Sequence, residues 1–441
     1  MRAVLALFLI DPANGLGMPK TTAVGLVGAY LSACYLTALP GGWIADRLIG
    51  ARRAALAGGV AILAGHVALA LETGATGVYA GLLLIAIGTG LQKPNMTAMV
   101  GTLYADESDG ERDAAYSRFY ASVNAGGLAA TLLVGWLGLH YGWNTAFGVA
   151  AVAMAFSLVV FKLSGSLRDT AGAPDRPLTR AEAHAVTVRV LWAVAAVLVV
   201  GAAVLATGAL TLTRALTAFA ALTVIVPVVC IGRLLRRRDL DDRGRAGIRA
   251  YAGLFAAAVA FFCILDLAAS SVQLFAADHV DMMGLPVTWQ AALNPIMTIA
   301  FAGVLAAVWR KVKVSAPAKF STGLVLGGSS FLLLALAATR ATEGTHISIL
   351  WLVGLYVLLS TGELFLAPTG LSISHKLAPA GTGSQLVGVF FLAVAAGDAI
   401  GSQVATHLTG AALYVTLGGF AVLAGLAMCA ATPRMRLLTR E

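Results

Sequence analysis

Long apolar segments alternate with short polar loops along almost the whole chain. Most of these segments reach about twenty residues, the number that an α-helix rising 1.5 Å per residue needs to cross roughly 30 Å of hydrocarbon. The pattern therefore predicts an all-α integral membrane protein. The apolar segments are residues 1–10, 21–45, 54–73, 77–103, 115–140, 143–163, 188–208, 211–235, 250–276, 286–309, 319–339, 348–374, 384–406 and 409–431.

Polar stretches divide the segments into groups of six, two and six. The stretch KLSGSLRDTAGAPDRPLTRAEAH follows the sixth segment, and RLLRRRDLDDRGR follows the eighth. Proline, glycine and charge clusters of this kind mark linkers. We expect an N-terminal six-helix bundle at 1–163, a linker with two inserted helices at 164–246, and a C-terminal six-helix bundle at 247–441. Two related halves around a site near the bilayer midplane are typical of secondary transporters.

The first segment, MRAVLALFLI, is too short to cross a bilayer. Ten helical residues span about 15 Å, and a charged amino terminus near the bilayer centre is costly. We therefore expect about 14 spans of which the first is truncated, and we expect the natural protein to begin upstream of Met1.

Composition agrees with a membrane protein and the loop charges predict its orientation. The chain is 59% hydrophobic and 12% charged, whereas soluble domains are about 45–50% apolar and about 25% charged. The net charge of +9 does not indicate nucleic-acid binding, because Lys and Arg gather in alternate loops, as the positive-inside rule requires. We expect a multi-pass protein of the cell (plasma or inner) membrane with both termini cytoplasmic. The four cysteines have no metal-ligand spacing, and no metal or cofactor is expected.

Four ionisable residues lie inside the apolar segments: Arg2, Lys93, Asp266 and Glu363. The last three lie about fifteen residues into their segments, near mid-depth. Ionisable residues within spans mark substrate or ion pathways by default, and the alternative is a structural salt bridge between helices. Two bases and two acids at similar depth can exchange partners and titrate, which favours an ion-coupled carrier.

The loop GGWIADRLIGARR follows the second segment. Its acidic and basic side chains can form a charge-paired latch at a cytoplasmic helix junction. The pattern resembles the conserved loop of the major facilitator superfamily, whose members transport many classes of solute. The expected gate residues are Asp46, Arg47, Arg52 and Arg53.

Further motifs resemble one branch of that superfamily, the proton-dependent oligopeptide transporter (POT, or peptide transporter) family. LQKPNMTAMVGTLY and ERDAAYSRFYASVNAGGL resemble its fourth- and fifth-helix signatures, and TWQAALNPI resembles its eighth-helix motif. GELFLAPTGLSISHKLAP is similar to its tenth-helix motif, and MRAVLALFL to the end of its first helix. The resemblance implies the major facilitator fold, with two six-helix bundles and two inserted helices.

The resemblance also implies roles for the charged residues. Arg2 matches a first-helix arginine that contacts the peptide carboxylate and pairs with a seventh-helix acid, which here is Asp266. Lys93 matches a lysine involved in carboxylate binding and proton coupling, and Glu363 an acid that binds the peptide amino group. Proton coupling is thus expected to involve Asp266, Arg2 and Lys93.

Three polar residues match positions of the substrate pocket in the same family, namely Tyr35, Asn124 and Asn294. The chain also departs from the family pattern. Asp266 is followed by leucine where many members have Glu-Gln, and Phe390 and Phe391 stand where many members have a tryptophan. The family's E-x-x-E-R motif precedes the position of Met1 and is not in this chain.

The resemblance implies proton-coupled import of di- and tripeptides by alternating access, with peptides, protons and the lipid bilayer as partners and a monomer as the functional unit. A second interpretation is a related carrier for another anionic or amino-acid-derived compound, with or without proton coupling. From a different class, a membrane-embedded enzyme or receptor-like sensor is not favoured. The sequence has no H-E-x-x-H motif, no G-x-G-D motif and no evident Ser/His/Asp set.

Overall fold

The structure is a computed structural model that describes residues 2–71, 74–103, 109–164, 178–179, 182, 184, 188, 211–237, 240–311, 314–341, 346–377 and 383–439. Twelve helical stretches in these ranges have the length and apolar composition to cross a membrane. The first predicted inserted helix, at 188–208, lies outside the described residues apart from Val188.

The described residues of the N-terminal half contain seven α-helices. The second and third of them form one span, Lys20–Ile49, that ends in a π-helical turn, Ala45–Ile49. The two helices are divided at Thr37, whose hydroxyl oxygen lies 2.7 and 2.8 Å from the carbonyl oxygens of Ala33 and Ala86. The helices are α1 (Arg2–Ile10), α2 (Lys20–Leu36), α3 (Ala38–Ile44), α4 (Ala51–Ala70), α5 (Gly74–Leu103), α6 (Asp109–Tyr141) and α7 (Trp143–Leu163).

The second inserted helix and the C-terminal half follow. The helices are α8 (Leu212–Leu235), α9 (Asp242–Leu265), α10 (Ser271–His279), α11 (Leu293–Lys311), α12 (Ala316–Arg340), α13 (Leu350–Lys376), α14 (Gly383–His407) and α15 (Gly410–Thr439). Two short strands, β1 (Val280–Asp281) and β2 (Ile347–Ser348), pair in parallel with Val280 opposite Ile347, and they join the loop after α10 to the loop before α13.

Two further segments predicted as single helices are interrupted. The predicted segment 250–276 is α9, a 3-10 turn at Asp266–Ala269 and the start of α10. The predicted segment 286–309 begins with a 3-10 turn at Val287–Ala292 before α11. At the first interruption a side chain from another segment binds the backbone, as described below, and apolar periodicity alone does not reveal such a contact.

Helix α14 packs closely between the two halves. It contacts α2 of the N-terminal half and α9 of its own half. A Cβ atom at Gly28 would lie 2.0 Å from the Ser402 hydroxyl oxygen, and one at Gly401 would lie 2.3 Å from the Cys263 carbonyl oxygen. Only glycine permits such an approach, because any side chain would overlap the neighbouring helix.

The short helix α1 is firmly packed. Leu5 and Leu9 have no exposed surface, and Phe8 packs edge-on against Phe147 at 5.1 Å between ring centroids. Helix α1 contacts α2, α6, α10 and the 3-10 turn at Asp266–Ala269. These contacts place the helix that carries Arg2 against the segment that carries Asp266.

Candidate transport site

Lys93, the cation that we predict to bind the peptide carboxylate, lies on α5 of the N-terminal half. The Lys93 ammonium nitrogen is 4.5 Å from the centroid of the Tyr35 ring, which belongs to α2. An ammonium group over an aromatic face is attracted by the ring quadrupole. Lys93 is exposed and precedes Pro94, which lies inside the helix. The structure therefore brings two of the predicted substrate-binding residues together and leaves the ammonium group accessible.

Glu363, the acid that we predict to bind the peptide amino group, lies on α13 of the C-terminal half. Asn294 of α11 donates from Nδ2 to the Glu363 Oε2 at 3.0 Å and to the Ser360 Oγ at 3.1 Å. Both Asn294 and Glu363 are half-buried. A hydrogen bond to the ionised carboxylate stabilises its charge and orients it. The structure thus also brings together the second pair of predicted substrate-binding residues.

Asp266 begins the 3-10 turn in the seventh span of the twelve-helix core and is half-buried. It lines a narrow enclosed space between α2, α9 and α14 together with Cys263, Asp398 and Ser402. Asp398 is 3% exposed, so its carboxylate faces this space from a buried position on α14. The predicted proton-coupling carboxylate therefore lies where helices of both halves meet.

Two other predicted site residues, Arg2 and Asn124, lie on α1 and α6. The backbone of Arg2 begins α1, whereas its side chain lies outside the described residues, so its pairing with Asp266 stays a prediction. Asn124 lies on α6 and is half-buried. Within the described chain, no group of three or more His, Cys, Asp or Glu residues is placed to hold a metal ion.

The predicted gate loop contacts the linker. Arg47 donates from a guanidinium nitrogen to the Glu182 Oε1 at 3.0 Å, and its carbonyl accepts from the Leu178 amide at 3.2 Å. Arg52 donates to the Lys162 carbonyl at 3.3 Å, and Asp46 and Arg53 are exposed. Latching within the loop stays a prediction. The Arg47–Glu182 ion pair joins the loop to the linker.

Glu182 is a charged partner that the sequence reasoning missed. Its carboxylate accepts from the amide and the hydroxyl of Thr179, both at 3.0 Å. These hydrogen bonds, with the neighbouring Arg47 guanidinium, lower the pKa of Glu182 below its usual range. The spacing Thr179-x-x-Glu182 is a capping box, which was the available signal.

The two halves contact each other directly at the end of the molecule where α2 begins and α10 ends. Lys20 forms an ion pair with Asp278 there. The Trp289 indole nitrogen donates to the Leu132 carbonyl of α6 at 2.9 Å. The predicted orientation makes this the outer side. Under that prediction, an ion pair and a hydrogen bond join the two halves on the outer side.

Comparison with known proteins decides the family. The sequence profile of the POT family matches residues 52–417. The chain belongs to the POT family. Two relatives extend the match over most of the chain. The uncharacterized transporter YclF of Bacillus subtilis (strain 168) is 34% identical over 416 residues, which are 92% of this chain and 83% of that protein. A di-/tripeptide transporter of Lactococcus lactis subsp. cremoris is 30% identical over 423 residues, covering 92% and 85%.

Solved structures of POT-family proteins share the fold. The crystal structure of a peptide transporter POT in complex with sulfate has a TM-score of 0.95 at 32% identity, covering 99% of this chain and 91% of that one. A POT family transporter in complex with 5-aminolevulinic acid has a TM-score of 0.93 at 30% identity, covering 98% and 92%. The predicted family and the predicted major facilitator fold are therefore confirmed.

Proposed function

We propose that this POT-family protein is a proton-coupled symporter that imports di- and tripeptides by alternating access. The observation that carries the proposal is the division of charge between the halves. The exposed Lys93 ammonium group belongs to the N-terminal half, whereas the Glu363 carboxylate, held by Asn294, belongs to the C-terminal half. The di-/tripeptide transporter among the relatives supports this substrate class.

The two charges suit a zwitterionic peptide. A short peptide carries a carboxylate at one end, an ammonium group at the other and variable side chains between them. A cation on one half and an acid on the other bind both ends by charge-assisted hydrogen bonds while leaving the side chains unspecified. Tyr35 and Asn124, which belong to the N-terminal half, complete the proposed binding set.

The same division of charge explains how binding changes conformation. A substrate that contacts both halves stabilises the arrangement in which the halves approach each other, and a ligand shifts an equilibrium only by such differential contacts. The Lys20–Asp278 ion pair and the Trp289 hydrogen bond close the proposed outer side. The protein is proposed to act as a monomer in the cell (inner) membrane, with both termini in the cytoplasm.

Proton coupling is assigned to Asp266, Arg2 and Lys93. Asp266 lies at a helix interruption that contacts α1, the helix of Arg2. Protonation of Asp266 would release Arg2 from an ion pair and free it for the substrate carboxylate. Proton binding and peptide binding then favour the same state, which is reciprocal coupling between two sites.

A second candidate function is transport of an amino-acid-derived compound, with or without proton coupling. The related structure in complex with 5-aminolevulinic acid favours it, because that ligand also has an amino group and a carboxylate separated by a short chain. Lys93 and Glu363 would bind these two groups in the same way.

Uptake into proteoliposomes under an imposed inward proton gradient tests the proposal. We expect accumulation of labelled dialanine that collapses with a protonophore and is competed by unlabelled dialanine but not by alanine. Accumulation that persists with the protonophore contradicts proton coupling. Competition by 5-aminolevulinic acid without dialanine uptake would favour the second candidate.

A further inference from the structure

A chain of buried hydrogen bonds joins three helical segments of the C-terminal half. The Tyr356 hydroxyl of α13 donates to the Gln290 Oε1 at 2.6 Å. The Gln290 Nε2 donates in turn to the Ala268 carbonyl, in the 3-10 turn that begins at Asp266, at 3.2 Å. Gln290 and Tyr356 have no exposed surface. Neither side chain belongs to the substrate site described above.

The hydrogen bond to Ala268 lies at an interruption of the helix. The α-helical pattern ends at Leu265, and Ser270 has φ −137° and ψ −87°, outside the helical region. Interruption of a helix alters the partners of nearby backbone groups, and a buried carbonyl needs a donor. The Gln290 amide supplies one to Ala268, so it helps to fix the geometry of the turn that carries Asp266.

A second set of hydrogen bonds lies four residues further along the chain, where the 3-10 turn at Val287–Ala292 has continued into α11. Asn294 follows Gln290 by four residues, and Ser360 follows Tyr356 by four. Residues four apart share one face of a helix. Asn294 binds both Ser360 and the Glu363 carboxylate. The proposed binding site for the peptide amino group is thus adjacent to the link that reaches the Asp266 turn.

We infer that Gln290 and Tyr356 are positioning residues that couple the substrate site at Glu363 to the proton site at Asp266. A peptide amino group drawn to Glu363 changes the position of α13 relative to α11, and the Tyr356–Gln290–Ala268 chain transmits this change to the 3-10 turn. Buried polar networks suit this role, because breaking one bond leaves groups without partners in a low-dielectric interior. The inference rests on the proposed function.

The titratable side chains that surround Asp266 influence whether its carboxylate binds a proton. Cys263 precedes it on α9, and Asp398 faces the same enclosed space from α14. On α2 the described residues that line this space, Gly28 and Leu31, do not titrate. Helix α1 contributes Arg2, whose side chain lies outside the described residues. Tyr356 is not among the described residues that line this space, so its replacement by phenylalanine leaves that lining unchanged.

The test replaces Tyr356 by phenylalanine, which removes the hydroxyl and keeps the ring. Tyr251→Phe is the matched control, because the Tyr251 hydroxyl is also buried and donates to the Leu386 carbonyl at 2.9 Å, away from the 3-10 turn. The measurement is the Kd of dialanine for the full chain in nanodiscs at acidic and at neutral pH. The ratio of the two values reports the coupling between proton and substrate.

In the wild-type protein we expect tighter binding at acidic pH. We expect Tyr356→Phe to reduce the ratio of the two Kd values by about fivefold, which is the equilibrium effect of one neutral hydrogen bond. A wild-type ratio that is smaller than this should fall to one. Tyr251→Phe should leave the ratio unchanged. A wild-type ratio in Tyr356→Phe, or an equal loss of the ratio in both variants, overturns this inference and leaves the proposed function standing. A wild-type affinity that does not change with pH contradicts the proposed proton coupling and overturns the inference with it.

A second variant and a measurement on the unmodified protein guard against misfolding. Gln290→Met keeps the side-chain length and removes both hydrogen bonds, and we expect the same loss of the ratio. In the wild-type protein, saturating dialanine should slow amide hydrogen exchange at Asp266–Ala269. Unchanged exchange there overturns the inference even if both variants fail to fold.

Discussion

Replacement of Glu363 by glutamine removes the negative charge that we assign to the peptide amino group, with little change in shape. The carboxylate oxygen that accepts from Asn294 at 3.0 Å becomes an amide oxygen, which can accept the same hydrogen bond. The packing of α11 against α13 should therefore persist. The change isolates the interaction between the charge and the substrate ammonium group.

The structure sets the loss of dialanine affinity that we expect in Glu363→Gln. Glu363 is half-buried, so its interaction with an ammonium group is less screened than that of a surface pair. A hydrogen bond to a charged group contributes about 1.5–3 kcal/mol, and 1.4 kcal/mol changes an equilibrium constant about tenfold. We therefore expect the Kd of dialanine to rise by about tenfold to hundredfold in Glu363→Gln.

The assay compares dialanine with N-acetyl-dialanine, which lacks the ammonium group, by calorimetric titration of wild type and variant. The N-acetylated compound should lose less than about threefold, because it never forms the charged contact. Asp242→Asn is the control, since it removes one negative charge from a fully exposed side chain at the start of α9. Equal losses for both compounds would refute the assignment of Glu363 to the amino group.

Three further changes test other parts of the structure. Lys93→Ala should abolish proton-driven accumulation of dialanine in proteoliposomes, and wild-type accumulation would show that Lys93 is not part of the coupling. Lys20→Asp should increase labelling of outer-facing cysteine probes by about twofold to fivefold, as expected for an exposed ion pair, and adding Asp278→Lys should restore wild-type labelling if the pair closes the outer side. Asp11 accepts a hydrogen bond from the Trp143 indole at 2.8 Å; burial alone would raise the pKa of Asp11, but this bond and bonds from backbone amides lower it. Asp11→Asn should therefore reduce the Tm at neutral pH. The difference in Tm between wild type and variant should vanish as the pH falls through the lowered pKa, because the wild-type carboxyl is then also neutral.

The membrane spans could be predicted from the sequence because lipid imposes a simple requirement. A crossing helix must present about twenty apolar residues, so hydropathy finds it without knowledge of its neighbours. The interruptions at Asp266 and at Val287 could not be predicted in this way. They are associated with side chains that bind backbone groups of other segments, such as Gln290 on Ala268, and a local pattern carries no record of those contacts.

The candidate site shows the same limit. Lys93, Asp266 and Glu363 were evident because charges are rare and costly inside apolar segments. Gln290 and Tyr356 are neutral and compatible with any buried helix, so nothing in the sequence distinguished them before the structure paired them. Their importance depends on which partners they meet, and that is a property of the fold.

The two contacts on the proposed outer side differ in how they tolerate mutation. The Lys20–Asp278 pair needs both side chains, so a change at either position removes it unless the other changes in a matching way. Trp289 instead donates to the main-chain carbonyl at Leu132, a group that every amino acid provides. Substitutions at 132 can therefore alter the surface of α6 and keep this hydrogen bond, whereas substitutions at 289 remove it. In a mutational scan, 289 should be intolerant and 132 permissive, although the two residues share one contact.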